Sequence, residues 1–173
     1  MPDKKQLSEE DIKLRYITPA ITKKWKTENI RMEAQITAGR INLNGRVVKR
    51  DSPKKADYLL FISPDNPIAV VEAKDNKHSV SHGMQQAKEY AGMLDVAFAY
   101  SSNGDAFEEF DFLTGREREI SLDDFPSPDE LYQRYKKEKG LSATEEKIIS
   151  QPYYTSQTTN ARGYRKISVN LKS

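Results

Sequence analysis

The sequence contains no cysteine, and its only histidines are His78 and His82. Without cysteine, a disulfide framework and a thiolate-ligated zinc site are both excluded. No stretch approaches the roughly 18 apolar residues that a membrane-spanning helix requires, and the opening residues MPDKKQLSEED contain no apolar signal region. These absences predict a cytoplasmic protein without a membrane partner.

The sequence also lacks an excess of one charge, because 28 Lys and Arg stand against 26 Asp and Glu, for a net charge of +2. Such a balance neither requires nor excludes nucleic acid as a partner, since the placement of the charges matters more than their sum. Beyond Gly140 the sequence becomes rich in Ser, Thr, Gln, Asn and Lys. We therefore predict one domain over residues 1–140 and a connector over residues 141–173.

Hydrophobic periodicity and turn residues predict an alternation of helices and strands. The predicted helices cover about Glu9–Ile17 behind a capping box at Ser8, Ala20–Thr27 behind Pro19, Val80–Leu94, and a segment between Ser127 and Gly140. The predicted strands cover Ala56–Ile62, Ile68–Lys74 and Val96–Ser101, with hairpins turning at Asn44-Gly45 and Thr114-Gly115, and with residues 30–37 as a strand or a helix end. This order predicts an α/β fold in which a mixed β-sheet is flanked by α-helices.

Two of the predicted strands are joined by the turn SPDNP, and each carries an acidic residue in an otherwise apolar run. With the turn centred between Pro64 and Asp65, the symmetry of an antiparallel hairpin sets which residues pair. The predicted pairs are Asp57 with Glu72, Leu59 with Val70, and Phe61 with Ile68. Asp57 and Glu72 then have Cβ atoms about 5 Å apart on one face of the sheet, and Lys74 lies on that face two residues further on.

Two carboxylates at that separation repel each other by about 3 kcal/mol at an effective dielectric of about 20. A divalent cation relieves this repulsion, and hard oxygen ligands on a rigid sheet suit Mg²⁺. The alternative is that Asp57 and Glu72 are solvated strand-end charges paired with Lys54, Lys55 or Lys74. Apolar residues on both faces of the two strands favour the metal site, because central strands rarely carry stray charges.

Two motifs resemble those of known nucleases. Asp57 followed by Glu72-Ala73-Lys74 resembles the D…(D/E)xK site of the restriction-endonuclease-like superfamily, although Ala56 stands where the superfamily's PD-(D/E)xK name has proline. The stretch Gln86-Ala87-Lys88-Glu89-Tyr90 resembles the QxxxY element of RecB-like nucleases. Gln86 and Tyr90 are four residues apart, so they share one face of a helix.

The resemblance extends to the N-terminal nuclease domain of the type I restriction enzyme R (motor) subunit over about residues 16–135. It is carried by the stretches KKADYLL, PIAVVEAK, QQAKEYA, FAYSSNGDAFEEFD, TGRE and FPSPDELYQRY. It implies a restriction-endonuclease-like fold, and the stretch ARGYRKISVN is similar to the lead-in to that family's helicase motor. The chain has no GxxxxGK[ST] sequence, so ATP is expected only at a motor outside it.

By this resemblance the chain is a DNA endonuclease that uses Mg²⁺ to hydrolyse phosphodiester bonds of unmethylated foreign DNA. Asp57, Glu72 and the backbone carbonyl of Ala73 are implied to hold the cation, and Glu33 is the candidate for an auxiliary acid that the family carries on an early helix. The implied partners are double-stranded DNA and the methylation and specificity subunits of a restriction–modification complex.

The resemblance also implies roles for the other residues of the site. The implied catalytic residues are Asp57, Glu72, Lys74, Gln86 and Tyr90. Lys74 would position or activate water and stabilise charge, while Gln86 and Tyr90 orient Lys74 or the DNA backbone. For Tyr90 the alternative is core packing in the apolar stripe of its helix.

Basic residues cluster around the site in sequence and are candidates for phosphate contacts without base recognition. They are Lys54, Lys55 and Lys77, together with Arg46, Lys49, Arg50 and His78. The alternative is a solvated surface rim, and His82 fits a surface or capping position better than a metal ligand. Two rival functions share the predicted fold: a free-standing RecB-like repair nuclease and a non-catalytic module that docks partner subunits.

Overall fold

The structure, a computed structural model, describes residues 3–36 and 54–140. In this part of the chain six strands form one mixed sheet in sequence order: β1 Ile30–Ile36, β2 Lys54–Ser63, β3 Asn66–Ala73, β4 Phe98–Ser102, β5 Ala106–Asp111 and β6 Arg116–Ser121. Neighbouring strands are antiparallel except for β3 and β4, which are parallel. The predicted α/β fold with a mixed sheet flanked by helices is confirmed.

The N-terminal helical segment begins with the predicted capping box. Ser8 Oγ accepts a hydrogen bond from the Asp11 amide, and the Asp11 carboxylate accepts one from the Ser8 amide. Helix α1, Glu9–Ile12, continues through a π-helical turn at Lys13–Ile17 into α2, Thr18–Thr22. The second helix predicted behind Pro19 is present as α2, with Pro19 in its first turn, but it begins at Thr18 and ends at Thr22 instead of Thr27. A π-helical turn joins it to α1 without a break.

One face of the sheet is covered by this N-terminal segment and by α4, Pro128–Lys139. Ile17, Ile21 and Trp25, which are spaced by four, are all buried in one core cluster with Tyr58 and Leu131. Helix α4 has the predicted ends: the Ser127 hydroxyl accepts from the Glu130 amide at 3.1 Å, and Gly140 closes the helix with a left-handed φ of 62°. Among the described residues, no helix combines the length and apolar character needed to cross a bilayer.

The opposite face is covered by α3, Met84–Leu94, which connects the parallel strands β3 and β4. Its buried residues, Met84, Ala87, Tyr90 and Ala91, pack on apolar residues that include Leu59 and Val70. The predicted start at Val80 is wrong. The helix begins after Gly83, whose amide donates to Ser101 Oγ at 3.0 Å and so holds the chain on the sheet before the first helical turn.

The register of the β2–β3 hairpin follows the prediction near the acidic pair and departs from it at the turn. Leu59 pairs with Val70 as predicted, and Tyr58 pairs with Val71 in the same register. Phe61 pairs with Pro67 instead of Ile68, because a proline without an N–H interrupts the ladder and leaves a bulge. The segment predicted as a strand or a helix end is a strand over Ile30–Ile36. The hairpin predicted at Asn44-Gly45 and the connector over 141–173 lie outside the described residues.

Candidate active site

Asp57 and Glu72 lie side by side on β2 and β3 and are held by backbone amides. The Asp57 amide donates to Glu72 Oε2 at 2.9 Å, and the Ala73 amide donates to Asp57 Oδ2 at 2.8 Å. Glu72 is 2% exposed, and the Asp57 side chain is 16% exposed. Burial to this extent contradicts the alternative that the two residues are solvated strand-end charges.

In this arrangement Glu72 is the carboxyl group whose ionisation is disfavoured. Burial raises the pKa of Glu72 well above the ordinary carboxylate range, the nearby Asp57 raises it further, and Lys74 lowers it only in part. Both effects disfavour the ionised form. A cation placed between the two carboxylates would offset the repulsion from Asp57 and so favour the ionised form of Glu72.

Lys74, Gln86 and Tyr90 form a connected chain beside the acidic pair. Lys74 Nζ donates to Gln86 Oε1 at 3.4 Å, and Gln86 Nε2 donates to the Tyr90 hydroxyl at 2.7 Å. The Tyr90 ring belongs to the core beneath α3, so its core packing and its polar contact occur together. The tyrosine therefore fixes the amide that holds the lysine.

Gly83 brings the start of α3 against the site. A Cβ atom at this position would lie 2.9 Å from Ser101 Oγ and 3.4 Å from both Glu72 Cβ and Lys74 Cε. Glu72 and Lys74 thus lie together under the start of α3, as the alternation of the strand predicted. Gly83 and Ser101 were not predicted as residues of the site, because only the folded chain brings the helix start to the sheet.

Lys13, also missed, is the other basic group at the acidic pair. Its side chain is 2% exposed, and its Nζ donates to Asp57 Oδ1 at 3.2 Å and to Glu10 Oε1 at 3.1 Å. Burial alone would lower the pKa of Lys13, but the charge of Asp57 and the bond to Glu10 outweigh it and raise the pKa. A signal existed in the sequence, because Lys13 continues the spacing of four that leads to Ile17.

Glu33 lies on β1 and not on an early helix. It occupies the position opposite Asp57, between the pairs Met32–Tyr58 and Ala34–Ala56, and its backbone has a left-handed φ of 52°. Glu33 Oε1 lies 3.8 Å from Lys13 Nζ. The acids on the early helix are Glu9, Glu10 and Asp11. Burial and then the charge of Asp57 raise the pKa of Glu9.

The described basic residues differ in their surroundings. Lys54 Nζ is paired with Glu89 Oε1 at 2.6 Å, whereas Lys55 is exposed on β2. Lys77 is exposed and lines an open pocket that His78 also lines. The His78 ring stacks on the ring of the exposed His82 at 4.2 Å. The three predicted basic residues Arg46, Lys49 and Arg50 lie outside the described residues.

The oxygen ligands available for a cation come from few side chains. Within residues 3–36 and 54–140, no group of three or more His, Cys, Asp or Glu side chains is gathered in a way that could hold a metal ion. The candidate ligands are therefore the two carboxylates and the neighbouring Ala73 backbone. Such a set suits Mg²⁺, which keeps several of its waters and binds through one or two carboxylates.

The sheet and its flanking helices define the restriction-endonuclease-like α/β fold. The chain matches a solved structure of a fragment assigned to the HsdR subunit of a type I restriction enzyme from Vibrio vulnificus YJ016, with a TM-score of 0.74 and 40% identity over 86% of this chain and 29% of that one. Residues 42–101 match the family model described as the type I restriction enzyme EcoKI endonuclease subunit second domain.

A curated relative gives the same result. The type I restriction enzyme EcoAI endonuclease subunit of Escherichia coli is 42% identical over 154 residues, which is 86% of this chain. The chain spans 19% of the length of that relative. The resemblance to the N-terminal nuclease domain of type I restriction enzyme R subunits is confirmed by these similarities.

Proposed function

We propose that this chain is the Mg²⁺-dependent DNA endonuclease domain of a type I restriction enzyme R subunit and that it cuts unmethylated foreign DNA. The observation that supports this most is the buried pair Asp57 and Glu72, held by backbone amides with Lys74 beside it. Relatives that are named endonuclease subunits of type I restriction enzymes support the same function.

Asp57, Glu72 and the Ala73 carbonyl would hold the cation. When bound, Mg²⁺ would polarise the scissile phosphate and help to generate the attacking hydroxide. The protein residues contribute position: the Asp57 and Ala73 amides hold the two carboxylates on adjacent strands before any cation arrives. Ligands fixed in this way need little reorganisation during the reaction.

Lys74 would act on the water and on the phosphate. The contact with Gln86 directs its ammonium group, and Tyr90 holds the Gln86 amide in turn. An ammonium group at this place can donate a hydrogen bond to the attacking water and stabilise the negative charge that develops on the phosphate. We assign Gln86 and Tyr90 to the orientation of Lys74.

Double-stranded DNA would meet this site through its backbone. Exposed lysines such as Lys55 and Lys77 can contact phosphates, and such contacts position DNA without reading its bases. Sequence selection and methylation sensing are then tasks of partner specificity and methylation subunits, and ATP serves a motor outside this chain. A cytoplasmic location follows from that assembly.

Cleavage of supercoiled plasmid by a reconstituted restriction complex tests the proposal. With Mg²⁺ and ATP, the wild-type complex should linearise the plasmid, and Glu72→Gln or Lys74→Met should slow cleavage by about 100-fold or more. Gly92→Ala, at a position where an added Cβ meets nothing within 4 Å, is the matched control and should cut normally. Unchanged cleavage by both site variants would remove the nuclease proposal, and equally fast cleavage by the 173-residue chain alone would favour a free-standing nuclease.

A further inference from the structure

Lys13 is a charged side chain in an unusual place. Lysine is almost never fully buried unless it is paired, and here the side chain is 2% exposed inside the N-terminal helical segment. The three nearest acids are Asp57 at 3.2 Å, Glu10 at 3.1 Å and Glu33 at 3.8 Å from its Nζ. The lysine therefore balances part of the negative charge of the acidic site without any bound ion.

The two carboxylate oxygens of Asp57 have different partners. Asp57 Oδ2 accepts from the Ala73 amide, which fixes the carboxylate on the strand, and Asp57 Oδ1 accepts from Lys13. A carboxylate fixed by a backbone amide does not need a lysine to hold its position. The ammonium group thus contributes mainly charge at the oxygen that a cation would also use.

We propose that Lys13 is a resident counter-charge that weakens and sets the affinity of the Asp57–Glu72 site for divalent cations. Resting on the function proposed above, this inference gives Lys13 an electrostatic role that acts through Asp57. A positive charge next to a cation site lowers the attraction of that site for the cation, and the low polarisability of a buried environment strengthens the effect. The alternative, in which Lys13 only holds Asp57 in place, predicts the opposite change when the charge is removed.

Calorimetric titration of the 173-residue chain with Mn²⁺ distinguishes the counter-charge role of Lys13 from a role in holding Asp57 in place. The neutral variants Lys13→Met and Lys13→Gln should bind Mn²⁺ at least about tenfold more tightly than wild type, while Lys13→Arg keeps the charge and should stay near wild type. Lys13→Gln retains hydrogen-bonding capacity and covers the case in which Lys13→Met does not fold. Lys23→Met, which removes an exposed lysine paired with Asp123, is the matched control and should not change the affinity.

The same titrations distinguish a failure of this inference from a failure of the proposed function. Asp57→Asn should abolish the binding seen in wild type, and equal heats from Asp57→Asn and wild type would overturn the metal site and Lys13's role with it. If Asp57→Asn loses binding but the folded neutral Lys13 variants bind equally or more weakly than wild type, only the counter-charge inference is overturned. Thermal melts support the affinity data, since Mn²⁺ should raise the melting temperature of the neutral variants more than that of wild type.

Discussion

The backbone amide of Asp57 donates a hydrogen bond to the carboxylate of Glu72 across 2.9 Å. Together with the bond from the Ala73 amide to Asp57, it shows that the β2–β3 hairpin itself positions both acids. The arrangement buries two carboxyl groups side by side, and both can be ionised together only with compensation. Lys13 and Lys74 supply part of that compensation, and the proposed cation would supply the rest.

Replacing Gly83 by alanine should damage the site directly. The added methyl group would lie 2.9 Å from Ser101 Oγ and 3.4 Å from Glu72 Cβ and Lys74 Cε, so the start of α3 or the side chains beneath it must shift. We expect Gly83→Ala to reduce Mn²⁺ affinity and plasmid cleavage by about tenfold or more, since small displacements at a reacting centre are costly. Calorimetry and the plasmid assay measure these effects.

Gly92→Ala is the internal control for that substitution. Gly92 lies in the same helix, α3, and a Cβ there has no neighbour within 4 Å. Alanine should stabilise the chain by about 0.5–1 kcal/mol through helix propensity and leave metal binding unchanged. Equal effects of the two substitutions on Mn²⁺ affinity would show that Gly83 has no special contact with the site.

The stability of the metal-free chain should depend on pH through Glu72. Its pKa is raised in the folded state by burial and by Asp57, so the folded chain holds a proton that the unfolded chain releases. The stabilisation is complete below the ordinary carboxylate pKa of 4.5 and declines as the pH rises through the raised value. Urea unfolding in EDTA at a series of pH values should show this decline for wild type.

The control for the pH experiment is Glu72→Gln, which keeps the side-chain shape but cannot titrate. The unfolding free energy of wild type minus that of Glu72→Gln should fall as the pH rises. A difference that stays constant across the range would show that Glu72 does not carry a raised pKa.

A second buried charge network should dominate the attachment of α4. Glu109, which is 1% exposed, accepts hydrogen bonds from Arg134, Arg118 and the Tyr100 hydroxyl. Burial alone would raise the pKa of Glu109, but the bonds from Arg134, Tyr100 and Arg118 hold it below its ordinary value. Arg134→Met leaves a buried carboxylate poorly paired and should cost about 3 kcal/mol of unfolding free energy.

Urea unfolding of Arg134→Met and of Lys23→Met tests whether the buried charge network around Glu109 stabilises the chain more than an exposed ion pair does. Lys23 pairs with Asp123 on the surface, where both side chains are exposed, so its loss should not change stability measurably. If Arg134→Met were as stable as Lys23→Met, the network around Glu109 would have no structural role.

The sequence alone predicted the fold and the acidic pair because both follow from local rules. Alternation along two strands and the symmetry of one turn were enough to place Asp57 beside Glu72. The register failed at Phe61, where Pro67 cannot complete the ladder, and helix α3 started late because Gly83 bonds to Ser101, a residue distant in sequence.

Lys13 shows why other parts of the site could not be predicted. A lysine is expected at the surface, and only tertiary contact with Asp57 makes its burial stable. Lys13 lies four residues before Ile17 on the apolar face of the helical segment, where a charged residue is an exception to the pattern. The acids that pair with it come from three separate elements, so the sequence alone did not reveal the pairing.

Anomalous diffraction from crystals of the 173-residue chain soaked in Mn²⁺ would locate a cation at Asp57 and Glu72. We expect a peak about 2–2.6 Å from a carboxylate oxygen of Asp57 and of Glu72, and we expect crystals of Asp57→Asn to lose this peak. A peak bound elsewhere, or none at these two residues in crystals that take up the ion, would contradict the assignment of this pair as the metal-binding centre of a nuclease.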